Sequence, residues 1–124
     1  MPRVIDVGNC GFDHSSLSAL IEQQFQMPCA SVANGAELDR ELQHGDVALI
    51  IVNRVFDSDG GDGMALISQL KQQQPPTAMI PVMLLSNFPD AQEKAVALGA
   101  LPGFGKSSLR SVETMELLTK VLKQ

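Results

Sequence analysis

The amino-acid sequence predicts a single doubly wound α/β domain: a five-stranded parallel sheet with helices on both faces. Apolar runs alternate with amphipathic stretches five times along the 124 residues, with short connections. Such alternation implies parallel strands joined by right-handed crossovers. The run Asp46-Val-Ala-Leu-Ile-Ile-Val52 is nearly continuous in apolar residues, as befits a parallel strand covered on both faces. Gln72-Gln-Gln-Pro-Pro76 is the one biased segment, and a complete strand follows it. It therefore reads as a loop rather than a linker, and residues 1–124 read as one domain, close to the commonest domain size.

Taken in order, Arg3–Val7 is a short first strand. Asp13 is a good N-cap, and Leu17, Leu20, Ile21 and Phe25 follow at helical spacing. Pro28–Val32 is the second strand, and Asn34-Gly-Ala-Glu37 opens a short polar helix that ends near Gly45. Asp46–Val52 is the third strand. Gly63, Leu66, Ile67 and Leu70 mark a helix halted by the Gln/Pro segment. Met79–Leu85 is the fourth strand, with Pro81 near its start. A helix from about Pro89 carries Ala91, Ala95 and Leu98 to Gly99. Leu101–Gly105 is a weak fifth strand interrupted by Pro102 and two glycines. Leu109 to Leu122 is a last helix with Val112, Met115, Leu118 and Leu122 on one side.

Bulk composition narrows the function. The net charge of −5 and pI near 4.8 argue against nucleic acid as a partner, because phosphate binding needs a basic face. No run of about 18 apolar residues exists, so no membrane span is expected, and the N-terminus lacks the apolar stretch of a signal peptide. Cys10 and Cys29 make no disulfide framework, which suits a reducing cytoplasm. The absence of Trp and Tyr leaves few aromatic platforms for flavins or bases.

In an open α/β sheet the C-terminal strand ends converge on one crevice. Here they bring together Gly8, Asn9 and Cys10 from the first strand, Asn53 from the third, Ser86 and Asn87 from the fourth and Lys106 from the fifth. Asn53, followed by the acidic, glycine-rich loop Asp57-Ser-Asp-Gly-Gly-Asp62, stands at the centre. It carries no charge, does not titrate near neutral pH, and is a weak nucleophile.

The order of these segments resembles the receiver domain of two-component response regulators. Ile80-Pro-Val-Met-Leu-Leu-Ser86 resembles the receiver fourth strand with its terminal hydroxyl residue. Ala95-Val-Ala-Leu-Gly-Ala100 with Phe104-Gly-Lys106 resembles the segment ending in the family's lysine. Ala33-Asn-Gly-Ala-Glu-Leu38 resembles the entry to the second helix, and Asp62-Gly63 the opening of the third. The resemblance spans essentially the whole chain. It implies a flavodoxin/CheY-like fold with strand order 2-1-3-4-5. It places the family's magnesium-holding acidic pair on Gly8 and Asn9, its phosphoacceptor aspartate on Asn53, and its hydroxyl and lysine on Ser86 and Lys106. The loop after Asn53 is then about two residues longer than usual. The switch aromatic falls on Gly103, with Phe104 one place later, and the proline after the lysine is Ser107.

The consequences are chemical. Magnesium takes hard, charged oxygens in octahedral geometry, and Gly8, Asn9 and Asn53 supply none, so Mg²⁺ binding is expected to be weak or absent and no cofactor is expected. An acyl phosphate needs a carboxylate nucleophile, which Asn53 lacks. What survives is an anion-binding half of Lys106, Ser86 and backbone N–H groups, with Lys106 free to hydrogen-bond the Asn53 carbonyl oxygen. The expected function is that of a degenerate receiver, not an enzyme, acting through a protein partner. The resemblance implies contact, and homodimerisation, through the face of the fourth helix, fifth strand and last helix, including Gln92, Glu93, Arg110, Glu113 and Lys120. With Gly103 at the switch position, the usual Tyr/Thr coupling is lost and one dominant conformation is expected.

Two alternatives stand beside this. A displaced acid, Asp57 or Asp6, could accept a phosphoryl group; reading Asp6 as one of the acidic pair, however, leaves only Arg3–Ile5 as a first strand, too short to cross a sheet. Alternatively, Lys106 and Ser86 could sense an anion or small ligand. Asp57, Asp59 and Asp62 could bind a metal from outside but read better as a solvated turn, and Gly61 and Ser68 exclude an EF-hand loop. Cys10 lacks the arginine a cysteine phosphatase would need about six residues on, where Ser16 stands. Cys29 reads as core, His14 and His44 as surface, and Phe88 and Phe104 flank the crevice.

Overall fold

The computed structural model describes residues 2–123; Met1 and Gln124, the ends of the predicted domain, lie outside the described residues. In chain order the elements are β1 Arg3–Val7, α1 Gly11–Phe25, β2 Cys29–Val32, α2 Gly35–Glu41, β3 Val47–Asn53, α3 Gly63–Lys71, β4 Val82–Leu85, α4 Pro89–Ala97, β5 Leu101–Phe104 and α5 Val112–Leu122. Short 3₁₀ turns at Thr77–Met79 and Lys106–Ser108 precede β4 and α5. All strand pairings are parallel, in the order β2-β1-β3-β4-β5, as the sequence leads one to expect.

The strands alternate their side chains between two layers. Ile5, Val7, Ile50, Val52, Val82 and Leu84 pack under Leu38 of α2, Leu66, Ile67 and Leu70 of α3 and the small Ala91 and Ala95 of α4. Val4, Leu49, Ile51, Met83 and Leu85 pack on Leu17, Leu20, Ile21 and Phe25 of α1 and Leu118 and Leu122 of α5. Each such aliphatic chain contributes about 1.5–3 kcal/mol when fully buried. Lys71 ties α3 to the segment before β4, its Nζ donating to Ala78 O (3.2 Å) and Ile80 O (2.8 Å); burial lowers its pKa. Among the described residues no helix is long and apolar enough to cross a membrane.

Several boundaries differ from expectation for local reasons. β4 begins at Val82, because Thr77–Met79 closes a 3₁₀ turn and Pro81 has no N–H for a ladder. α5 begins at Val112, where the Ser111 side chain caps Thr114 N. Asp13 is not the N-cap of α1. Cys10 holds that position with extended φ and ψ, its Sγ accepting from Asp13 N at 3.5 Å, which leaves the Asp13 carboxylate free to reach out of the first turn. α2 is capped in both directions: Glu37 N donates to the Oδ1 of its N-cap Asn34 (3.0 Å), and Ala33 N, one residue before the cap, donates to Glu37 Oε1 (2.9 Å).

Candidate functional site

The carboxyl ends of β1, β3, β4 and β5 border a cleft of about 480 Å³ whose wall includes Asp13, Asn53, Asp57, Ser86, Phe88 and Lys106. Asn53 is the last residue of β3. Its Nδ2 donates to Gly8 O at 3.1 Å and to Val55 O at 2.8 Å, so the neutral amide stitches the tip of β1 to the start of the following loop. The Asn53 carbonyl oxygen is not the partner of Lys106. Lys106 Nζ instead lies 2.7 Å from Asp13 Oδ2. That hydrogen bond holds the Asp13 carboxyl below the usual carboxylate range. Asp13 was readable only as a helix cap, and its role here follows from the β5–α5 turn crossing the first turn of α1. Both side chains are partly exposed, 41% and 27%, and such pairs are worth at most about 1 kcal/mol. Their effect is chemical: an incoming anion must compete with Asp13 for the lysine.

Phe56 is the site residue that sequence reasoning missed. The loop after β3 folds back on itself: Val55 bridges Asp62 in antiparallel fashion, Phe56 N donates to Gly61 O at 2.9 Å and Gly60 N to Phe56 O at 2.8 Å. Asp59 Oδ1 accepts from Gly61 N at 2.8 Å, and Asp57 N donates to Gly8 O at 2.8 Å. The closed turn presses the Phe56 ring, only 6% exposed, onto the tip of β1. Gly8 there has φ +82°, and a Cβ on it would lie 2.3 Å from Phe56 Cδ1. The ring fills the space that any side chain at position 8 would need. The extra loop length together with a glycine at position 8 was the available signal.

Asp6 is the fourth of the five residues of β1, fully buried, on the face toward α1. Its Oδ2 is 2.9 Å from His14 Nδ1, and Asn9 Nδ2 donates to its Oδ1. His14 is therefore not a solitary surface histidine: position 14 falls on the α1 face that packs over β1. Burial pushes the Asp6 carboxyl above the usual range, against the opposing pull of His14 and Asn9. Asn9 commits its amide inward, to this buried carboxyl. Val7 continues the strand after Asp6, so Asp6 does not sit at the strand tip.

The remaining predicted residues divide between cleft and scaffold. Ser86 Oγ accepts from Phe88 N at 3.2 Å. Asn87 Oδ1 accepts from Ser107 N (3.1 Å) and Ser107 Oγ (2.9 Å), joining the loops after β4 and β5. Phe88 is 61% exposed and lies beneath the Arg54 guanidinium, 5.6 Å from ring centroid to Cζ. Phe104 is core. Asp57 is exposed in the cleft wall. Cys29 is buried, its thiol pushed up to about 12 by burial, and unreactive. Among the described residues no three His, Cys, Asp or Glu side chains are grouped to hold a metal ion. Of the predicted contact face, Glu93, Arg110, Glu113 and Lys120 are exposed. Gln92 is not free: it is half-buried, and its amide bonds the main chain of β4 and β5. Gly103 of β5 donates its N–H to that amide at 2.9 Å.

No protein-family model matches the chain, and no curated protein does. Solved structures do. The signal receiver domain of a DNA-binding response regulator from Colwellia psychrerythraea superposes with a TM-score of 0.78 at 22% identity, covering 100% of this chain and 99% of that one. The activated N-terminal receiver domain of Klebsiella pneumoniae RstA gives 0.78 at 18% identity, covering 98% and 99%. The receiver domain of a signal transduction histidine kinase from Syntrophus aciditrophicus gives 0.70 at 25% identity, covering 98% and 93%. From end to end, the chain has the fold of the response-regulator receiver domain.

Proposed function

We propose that this chain is a degenerate receiver of a two-component or phosphorelay pathway, working in the cytoplasm through protein–protein contact without aspartyl phosphorylation. The observation that carries the reading is the Phe56 ring seated against Gly8, where a receiver holds acidic side chains. Asn53 supports it: an NH₂ group directed at two carbonyl oxygens takes the place of a cation and offers no carboxylate for an acyl phosphate. The donor set does not suit Mg²⁺, which demands charged oxygens, so magnesium is proposed to bind weakly or not at all. The partner is a signalling protein, with a second copy of this chain as one candidate, and the exposed Glu93, Arg110, Glu113 and Lys120 mark the face it would use. The test is incubation with acetyl phosphate and Mg²⁺ followed by intact mass. An unchanged mass supports the proposal, and an adduct mapped to any aspartate overturns it.

One observation favours a second reading. Asp57 is exposed in the same cleft wall as Lys106 and could serve as a displaced acceptor. Asp6 is disfavoured in that role, being wholly buried and bonded to His14 and Asn9. Anion sensing by Lys106 and Ser86 is weakened by the Asp13 ion pair. A thermal shift with phosphate or sulfate would revive it.

A further inference from the structure

The β4–β5 edge carries an irregularity that its strands do not satisfy by themselves. Met83 pairs with Leu101 and Leu85 with Phe104, so β5 advances three residues where β4 advances two, and the surplus falls at Pro102 and Gly103. Such a bulge leaves ladder groups without strand partners, and Pro102 has no N–H to offer. A single side chain from α4 makes up the deficit. Gln92 Nε2 donates to Leu84 O at 2.9 Å and to Ser86 O at 3.2 Å, while its Oε1 accepts from Gly103 N at 2.9 Å. Three carbonyls about the nitrogen, the third being Phe104 O at 3.5 Å, and an N–H at the oxygen leave one orientation for the amide. The backbone is shaped to admit it: a Cβ at position 103 would lie 2.3 Å from Leu84 O and 3.0 Å from Gln92 Oε1. Pro102, Gly103 and Gln92 are thus parts of one arrangement.

We propose that Gln92 is a positioning residue that latches α4 to the β4–β5 edge, so that the face built from α4, β5 and α5 is presented in one fixed arrangement. This deepens the function proposed above: a partner meeting this face reads a constant surface, with Glu93 and Val96 set beside Pro102. It rests on local geometry independent of the Phe56 contact.

The experiment is amide hydrogen exchange by NMR on the whole chain. In Gln92→Leu, which keeps the bulk and removes the polar atoms, protection of the Gly103 N–H should fall at least tenfold, while the β3 amides keep theirs and report an intact fold. Gln92→Glu supplies a second readout. A protonated carboxyl can donate to Leu84 O and accept from Gly103 N, whereas a carboxylate cannot donate and is repelled from this position by the Leu84 and Ser86 carbonyl oxygens, which withdraws it from Gly103 N as well. Protection at Gly103 should therefore be low at neutral pH and recover as pH falls through the titration of the new acid. β4 and β5 carry no titratable residue, and the charged neighbours on α4 are Asp90, Glu93 and Lys94; in the unsubstituted protein Gly103 protection should stay flat over the same range. Undiminished protection in Gln92→Leu, or a Gln92→Glu response that matches the unsubstituted protein, would overturn the latch. An aspartyl phosphate would sink the proposed function without touching this result, and loss of the latch would leave the mass experiment as it stands.

Discussion

Replacing Asn53 with aspartate would put a carboxylate at the end of β3, and the geometry predicts that it harms the fold. The Asn53 Nδ2 donates at 3.1 Å to Gly8 O and at 2.8 Å to Val55 O. A carboxylate has no donor on either oxygen, so no rotation of the side chain restores these bonds. Two lost hydrogen bonds cost roughly 1 kcal/mol each. Gly8 O keeps the Asp57 N–H at 2.8 Å, but Val55 O loses a donor and both carbonyls then face a negative charge, worth about 1 kcal/mol or more again. The sum is about 3 kcal/mol, or roughly 10 °C in Tm for a domain of this size. Urea unfolding with and without Mg²⁺ is the assay. If only the acceptor carboxylate were missing, magnesium at tenfold its Kd would return about 1.4 kcal/mol to Asn53→Asp. We expect no such recovery, because the Phe56 ring still covers Gly8. A variant as stable as the parent, or one rescued by magnesium, would refute the reasoning.

Gly8→Asp should be more damaging than its surface-like chemistry suggests, by 3 kcal/mol or more on the order of an overpacked core site. Its φ of +82° and the 2.3 Å approach to Phe56 both oppose a side chain, and pairing it with Phe56→Ala should recover part of the loss in denaturant titrations; no recovery would show that the ring is not the obstacle. Asp6→Asn should stabilise the protein relative to the parent increasingly as pH rises. The folded carboxyl titrates above its ordinary 3.8, so its contribution is full below that value and is lost as pH climbs through the raised one. A relative stability independent of pH between 3 and 7 would contradict this. Lys106→Met should change stability by no more than about 1 kcal/mol while raising the Asp13 carboxyl toward its ordinary 3.8, followed by NMR titration; the Asp13 contribution, in the parent present above the ordinary pKa and lost on acidification below it, should shrink accordingly.

Much of the architecture was legible in the residues. Apolar runs placed the five strands, and helical spacing with capping residues placed the five helices, with several starts displaced by a few residues; the nearly continuous apolar run of β3 marked a strand covered on both faces. The residues gathered at the strand tips were also readable, since βα topology sends every strand end to one edge. What remained hidden were pairings between elements remote in sequence. Asp13 read as a cap because capping is a local signal; its partnership with Lys106, 2.7 Å away, depends on how the β5–α5 turn crosses α1. His14 read as exposed because nothing in its own helix revealed the buried Asp6 opposite. Gln92 read as a surface contact because the bulge that recruits it lies in β5.

The order of apolar and polar residues was enough to specify five parallel strands with helices between them, because burial patterns are written into neighbouring positions, while the strand order 2-1-3-4-5 was implied by the resemblance to receiver domains. The absence of acids at positions 8, 9 and 53 was likewise plain from the letters. Only the three-dimensional packing determined what stands in their place: an aromatic ring over Gly8, an amide between two carbonyls, and a lysine matched to Asp13. Each depends on short-range contact between segments that the chain brings together only when folded.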